Sequence, residues 1–289
     1  MSETSLDKSK CIDGSYGWIV VIFTMLVGFV PGSNMAKAIS LAPVVCMQFG
    51  INEATFGLIV ASFYIMGMVM AFPATGMVNK LGMKVSVLIA VACGVVGSIM
   101  GATAGTNMTM FVVSRVVEGA SFGIMGVVGA SAIGPWFSPR KRSLPLSIWS
   151  MWVAACMCVC PILFGWLYES MGVPMEGIWW GTAAYDLIVG ILFVVFYRAP
   201  LDLTQVEDEQ DPTGTKKASL SRALKSPMLW ALALIFLFDE AAYMAINGFI
   251  VAYLSTELGT TLVFANAIFS LFGLLGAVFP PISGWITQK

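Results

Sequence analysis

Residues 73–84 read Pro73-Ala74-Thr75-Gly76-Met77-Val78-Asn79-Lys80-Leu81-Gly82-Met83-Lys84, and residues 280–289 read Pro280-Pro281-Ile282-Ser283-Gly284-Trp285-Ile286-Thr287-Gln288-Lys289. Each stretch closes a long apolar run with the same order of prolines, a glycine and a polar, then cationic, pair. Gly76 and Gly284 allow close approach of a neighbouring helix, and Gly82 suits a tight turn. Asn79-Lys80, Lys84 and Gln288-Lys289 set polar and cationic groups near helix ends, where the backbone dipole is exposed. The two glycines lie 208 residues apart and follow the second and the eighth apolar runs, so the chain carries an internal repeat of six such runs.

Composition fixes the solvent. The 289 residues are 58% hydrophobic and 11% charged, with a mean hydropathy of +0.87. A soluble domain is about 45–50% apolar and about 25% charged. A water-soluble enzyme, a nucleic-acid binder and a disordered tail are excluded, because no soluble core hides that much apolar surface. A membrane-spanning helix needs about 20 apolar residues. Apolar runs at 16–47, 54–78, 83–105, 107–135, 144–168, 177–197, 228–255 and 260–286 predict eight spans, hence an all-α membrane protein. The first run is too long for a straight span, and Pro31-Gly32 predicts a kink. Met1–Asp13 is polar and does not read as a cleaved signal peptide.

The 15 Lys and Arg residues sort by side. With the N-terminus inside, all but Lys37 and Arg115 fall in cytoplasmic segments, and the loops near 48–53, 105–107, 169–176 and 255–259 hold none. This asymmetry predicts a cytoplasmic N-terminus. Eight spans without a cleaved signal give the expectation of a multi-pass protein of the plasma membrane, of bacterial inner-membrane type. The predicted organisation is a cytoplasmic segment 1–15, a six-helix bundle 16–197, a cytoplasmic linker 198–227 and two helices of a second bundle, 228–289. The linker is acidic first (Glu207, Asp208, Glu209, Asp211) and basic later, as a solvated connection is.

Residues 73–84 resemble the loop motif of the major facilitator superfamily, G-x-x-x-D-(R/K)-x-G-x-(R/K). Asn79 stands where the family has Asp, and Gly76 comes one residue closer to it. Asn79 cannot form the ion pair of the family's conformational lock. Arg115-Val116-Val117-Glu118-Gly119, with Gly123, resembles the R-x-x-x-G signature of the family's fourth helix. Cys160-Pro161-Ile162-Leu163-Phe164-Gly165 is a degraded copy of the exchangers' G-P-x-x-G-G, matching only at Pro161 and Gly165. Asp13-Gly14-Ser15-Tyr16-Gly17-Trp18 resembles the D-G-G-W-G-W stretch of monocarboxylate transporters. Trp136-Phe137-Ser138-Pro139-Arg140-Lys141-Arg142-Ser143-Leu144 is similar to their fourth loop and to that of oxalate/formate exchangers. Lys37, 19 residues past Trp18, lies within about one residue of where those transporters carry a substrate-binding lysine.

The resemblance implies a major facilitator fold with a complete N-terminal six-helix bundle plus the first two helices of the C-terminal bundle. It implies a secondary active transporter that moves a small organic anion of monocarboxylate type by alternating access, proton-coupled or by exchange. An inorganic-type anion (nitrate, cyanate) or an aromatic acid is the alternative cargo. A non-transporting or inactive truncated membrane protein is the alternative of another class. Eight spans against a family of two six-helix halves give the expectation of a fragment or truncated product lacking about four helices, unable to transport alone unless a partner supplies the rest.

Charges inside a bilayer are costly, so each is a functional hypothesis. Lys37 is expected to attract the substrate anion as a desolvated point charge; the other reading is a lysine snorkelling to the outer surface. Arg115 and Glu118 share a helix face at i, i+3, either as a pair that re-forms as the bundle rocks or as a structural ion pair. Asp239, Tyr243 and Asn247 form a polar stripe at i, i+4, i+8, and Glu240 reaches the same stripe. With no histidine in the chain, a carboxylate is the only proton carrier for neutral pH. The expected substrate contacts are Lys37, Arg115, Tyr243 and Asn247, and the expected proton-coupling residues are Asp239, Glu240 and Glu118. Asp186 has no partner in the sequence. The expected conformational set is Gly76, Asn79, Lys80, Gly82, Lys84, Gly284, Gln288 and Lys289.

The expected partners are a small anionic solute, with or without a proton, and the lipid bilayer; no nucleic acid, cofactor or metal is expected. Gly119-Ala120-Ser121-Phe122-Gly123 satisfies G-x-S-x-G, but a serine nucleophile needs a base, and no histidine exists to supply it. Neither H-E-x-x-H nor a Walker loop occurs. Cys46, Cys93, Cys156, Cys158 and Cys160 read as packing residues. Gly94, Gly97, Gly101 and Gly105, and Gly119, Gly123 and Gly126, read as small-residue helix faces. Trp18, Trp166, Trp179, Trp180 and Trp230 read as interface anchors.

Overall fold

The computed structural model describes residues 11–201 and 225–288. The first ten residues, most of the predicted linker (202–224, including its acidic and basic runs) and Lys289 lie outside them. Eight helices among the described residues are long and apolar enough to cross a membrane. In chain order the elements are α1 (Tyr16–Ser40), α2 (Ala42–Phe49), α3 (Glu53–Leu81), α4 (Met83–Thr103), α5 (Met108–Ile133), a 3-10 turn at Gly134–Trp136, α6 (Ser143–Ser150), α7 (Trp152–Glu169), α8 (Met175–Phe196), α9 (Pro227–Thr256) and α10 (Leu262–Gln288). Helices α6 and α7 together make the fifth span.

Local chemistry sets the ends. The Asn52 side chain accepts a hydrogen bond from Thr55 N (2.9 Å) and that of Asn107 from Met110 N (3.1 Å), satisfying free amides at the starts of α3 and α5. Glu169 at the end of α7 accepts from Val263 N (2.7 Å) in the first turn of α10. Gly82, at φ +82°, turns α3 directly into α4. The first apolar run and the fifth span are each divided. Helix α1 runs through Pro31 and ends before Leu41, after which α2 begins. The fifth span is divided at Met151.

Helix α5 packs against α3 and α4, α4 against α8, and α1 lies among α5, α7 and α8. Helix α10 lies along α6 and α7, while α9 touches mainly α10 and α2. Gly119 and Gly123 of α5 sit so close to the carbonyls of Phe63 and Gly67 that a Cβ at either would overlap the α3 backbone. Gly126, by contrast, meets nothing, and Gly105 lies beyond the end of α4, so neither joins a packing face.

Two apolar cores fill the bundle, one around Phe56, Phe63, Phe111 and Ile178, the other around Val20, Val30, Val87, Ile124 and Phe193. The second includes the packing of residues 13–18 against 136–141. Tyr16 and Trp18 lie 5.4 Å, ring to ring, from Trp136 and Phe137, and Asp13 N donates to Trp136 O (2.9 Å). Asp13 also accepts from Ser138 N at 2.9 Å and pairs with Lys141 at 3.3 Å. The two stretches that resemble monocarboxylate transporters therefore form one contact.

Candidate functional site

Four charged side chains lie together where the two apolar cores meet. Residues Asn34–Lys37 of α1 fall between Val30 of one core and Ile39 of the other, and Glu118 of α5 between Phe111 and Ile124. Lys37, Arg115, Glu118 and Asp186 are all essentially inaccessible. Lys37 does not snorkel. Its ammonium donates to Asn34 Oδ1 (2.5 Å), Ser98 Oγ (2.8 Å) and Thr182 Oγ1 (3.0 Å) and pairs with Glu118 Oε1 (2.7 Å). An ammonium has three protons, so these acceptors saturate it.

Glu118 is held by two cations. Lys37 takes one carboxylate oxygen and Arg115 Nη1 the other, the Arg115–Glu118 pair spanning one turn of α5. Arg115 Nη1 also donates to Asn34 O (2.7 Å), tying α5 to α1. Each cation rests on an aromatic ring, Lys37 at 4.9 Å from the Trp179 ring and Arg115 at 4.8 Å from that of Phe63. Trp179, which the sequence places at the interface, is wholly buried.

Asp186, without a partner in the sequence, acquires one here. Asn34 Nδ2 donates to Asp186 Oδ2 (2.8 Å), while Asn34 Oδ1 accepts from Lys37 and from Ser98 (2.7 Å). One amide thus links Asp186 to the Lys37–Glu118–Arg115 pairs. The glycines of α4 make room for this. A Cβ at Gly94 would stand 2.9 Å from Asp186 Oδ2, and Cβ atoms at Gly97 and Gly101 would overlap the side chains of Glu118 and Trp179. The packing glycines of the sequence are, at these three positions, the seats of charged and aromatic site residues.

The α9 stripe stands apart. Asp239 and Glu240 are exposed and, with Tyr243, line a cavity of about 260 Å³ bounded also by Met35, Phe122, Val153 and Phe272. Phe122 is one turn beyond Glu118, so this cavity borders the charged cluster from the α9 side. Asn247 is buried further along α9, its amide donating to Tyr243 O (2.7 Å). An apolar groove of about 510 Å³ between α1, α7 and α8 reaches Thr182, an acceptor of Lys37.

The loop motifs divide likewise. Lys84 donates to Val194 O (3.0 Å) in the last turn of α8, a cation at a helix C-terminus. Gly76, Asn79, Lys80 and Gly82 are exposed. Gly284 lies directly against Ser147 of α6, and Thr287 shares a hydrogen bond with Ser143 (2.6 Å). Gln288 ends α10, and Lys289 lies outside the described residues. Ser121 is buried among packing residues, and among the described residues nothing pairs with its hydroxyl. Sequence reasoning missed Asn34, Ser98, Thr182 and Trp179 as site residues; a polar Asn34 one turn before an intramembrane lysine was the available signal.

Residues 17–289 match the model of the Major Facilitator Superfamily. The chain is 24% identical to the membrane sensor protein UhpC of Salmonella typhimurium, across 93% of this chain and 64% of that one. It is 20% identical to the probable nitrate/nitrite transporter NarK2 of Mycobacterium tuberculosis, across 78% of this chain and 54% of that one. The crystal structure of a D-xylose-proton symporter superposes with a TM-score of 0.65 at 14% identity, covering 90% of this chain and 66% of that one. The chain thus spans about two thirds or less of the length of these relatives. With eight apolar spans, the six-span bundle and two further helices arranged as above, and this match over nearly its whole length, the chain belongs to the major facilitator superfamily.

Proposed function

We propose that the protein is a secondary carrier of a small organic anion of monocarboxylate type, worked by alternating access and coupled to a proton or to exchange of a second anion. The observation that carries the reading is the buried cluster: two cations, Lys37 and Arg115, share a single carboxylate, Glu118, in the middle of the bundle. Two desolvated cations on one internal anion form a site where an incoming carboxylate competes with Glu118. In the present state Lys37 is saturated and shut off from the 260 Å³ cavity, so this is a closed arrangement. Rocking of α9 and α10 against the first bundle would bring Tyr243 and Asn247 toward the substrate and open the path to Lys37 and Arg115. The loop residues Gly76, Asn79, Lys80, Gly82, Lys84 and their second copy would hold the cytoplasmic ends during that motion.

Nitrate-type anions are the second cargo, a reading favoured by the likeness to a probable nitrate/nitrite transporter. Sensing without transport is the second class, favoured by the likeness to a membrane sensor protein. The deciding experiment is uptake by proteoliposomes holding the purified full-length protein, with labelled carboxylates and inorganic anions, with and without a pH gradient. Saturable carboxylate uptake supports the reading; uptake of nitrate alone moves it to the second cargo. Saturable binding with no movement of any solute overturns it in favour of a sensor. The orientation is proposed with the N-terminus and the Lys84 and Arg140–Arg142 loops in the cytoplasm of a plasma membrane, by charge asymmetry.

A further inference from the structure

We propose that Asp186 is the residue that binds the coupling proton, and that one proton loads with one monoanion because only that combination leaves the buried cluster neutral. This rests on the anion-carrier reading above. Charge balance carries the argument. With Asp186 ionised, the unloaded cluster is neutral: Lys37 and Arg115 stand against Glu118 and Asp186. A bound monoanion would leave one uncompensated negative charge in a low-dielectric interior, which is strongly unfavourable. Taking one proton from the bulk onto one carboxylate of the cluster restores neutrality. Releasing the anion and the proton together on the far side returns the starting state.

The geometry selects the carboxylate. Glu118 has a cation on each oxygen, so a proton there would have to displace Lys37 or Arg115. Asp239 and Glu240 stand outside the cluster, on the wall of the 260 Å³ cavity, and among the described residues they share no ion pair with it. Asp186 is fully buried; among the described residues no cation pairs with it, and no donor reaches Oδ1. Its other oxygen takes one hydrogen bond, from Asn34, whose carbonyl is held by Lys37. A proton on Oδ1 therefore breaks no existing bond. When Lys37 turns to a substrate carboxylate, Asn34 Oδ1 loses its ammonium, so substrate capture is felt at Asp186 through one amide. The titratable groups within electrostatic reach of Asp186 are Lys37 of α1, Glu118 of α5, Cys156 of α7 and Tyr185 of α8, with Gly94 the facing residue of α4.

The test uses the purified full-length protein in proteoliposomes with labelled lactate as probe. Three quantities are read: accumulation driven by an acid-outside gradient, lactate counterflow at equal pH, and lactate-linked proton entry by a trapped pH dye. Asp186→Asn, an isosteric mimic of the protonated acid, is expected to lower gradient-driven accumulation and proton entry by about tenfold or more while counterflow stays within about threefold of wild type. Asp239→Asn and Glu240→Gln are expected to keep proton entry. Retained accumulation and proton entry in Asp186→Asn would overturn the proposal, as would loss of coupling in Asp239→Asn or Glu240→Gln instead. The wild type alone supplies a check that needs no variant to fold: about one proton per lactate is expected from the charge balance, and zero or two would refute it. A wild type that moves no anion removes the carrier reading itself, whereas failure of Asp186 alone appears against intact wild-type coupling.

Discussion

Helices α1 and α9 both carry polar residues in the middle of an apolar span, yet the surroundings differ. On α1, Asn34 and Lys37 are sealed by α4, α5 and α8, and every donor of Lys37 is met. On α9, Asp239 and Glu240 border an open cavity, and among the described residues neither has an ion-pair partner. The same chemical types thus serve different ends. In the sealed site a change in one charge must be compensated by another; at the cavity wall it need not be. That contrast is why the anion's cationic partners and the proton are assigned to the first cluster.

The largest expected effect is at Lys37. Lys37→Met strips one of the two cations from Glu118 and is expected to cost about 3–5 kcal/mol of stability. Thermal unfolding of the detergent-purified full-length protein measures it, and anion uptake should be lost with it. Near-wild-type stability would mean that the sealed cluster is not energetically coupled, and the contrast with α9 would fall.

Next come the α4 glycines. Gly97→Ala and Gly101→Ala push a methyl into Glu118 and Trp179, and overpacking of this kind costs about 1–3 kcal/mol. Gly126→Ala meets nothing within 4 Å and should leave the unfolding midpoint unchanged. Equal midpoints for all three would show that α4 does not set the position of Glu118.

Smaller effects belong to α9. Asp239→Asn and Glu240→Gln, isosteric changes at positions with no ion-pair partner among the described residues, are expected to change stability by about 0.5 kcal/mol or less. Their apparent affinity for the transported anion should shift by only a few-fold, since neither side chain pairs with Lys37 or Arg115. A change at either as large as at Lys37 would erase the distinction between wall and sealed site.

The smallest concerns Asp13. Partial burial pushes its carboxyl up, but the Ser138 hydrogen bonds and the Lys141 ammonium outweigh this and hold it below its ordinary value. A carboxyl depressed in the folded state stabilises the fold above its unfolded value and loses that contribution as pH falls through the folded one. The acid-side loss should be about 1 kcal/mol or less, and absent in Asp13→Asn, in unfolding midpoints measured across that range.

Lys37, Arg115 and Glu118 were legible in the sequence because a charge within an apolar run stands out at once. Arg115 and Glu118 were legible even as a pair, since i, i+3 spacing on one helix is fixed by helical geometry. Asp186 was visible as a charge but not as a partner. Asn34, Ser98 and Thr182 looked like ordinary polar residues, and Trp179 like an anchor at a span end. Their roles depend on how four helices are rotated against one another, which no local period encodes.

What the sequence determined by itself is what each helix can settle alone: eight apolar lengths, the side that carries the cations, the repeat of the loop motif and the cost of every charge left inside. Its hydrophobic runs dictate helices because in lipid each backbone amide must be satisfied within its own segment. The tertiary structure decided which charges meet. Lipid gives no hydrophobic preference for one helix contact over another, so close packing at Gly94, Gly97, Gly101, Gly119 and Gly123 and the pairing of buried charges choose the neighbours. From those contacts alone Asn34 becomes the bridge between Asp186 and Lys37.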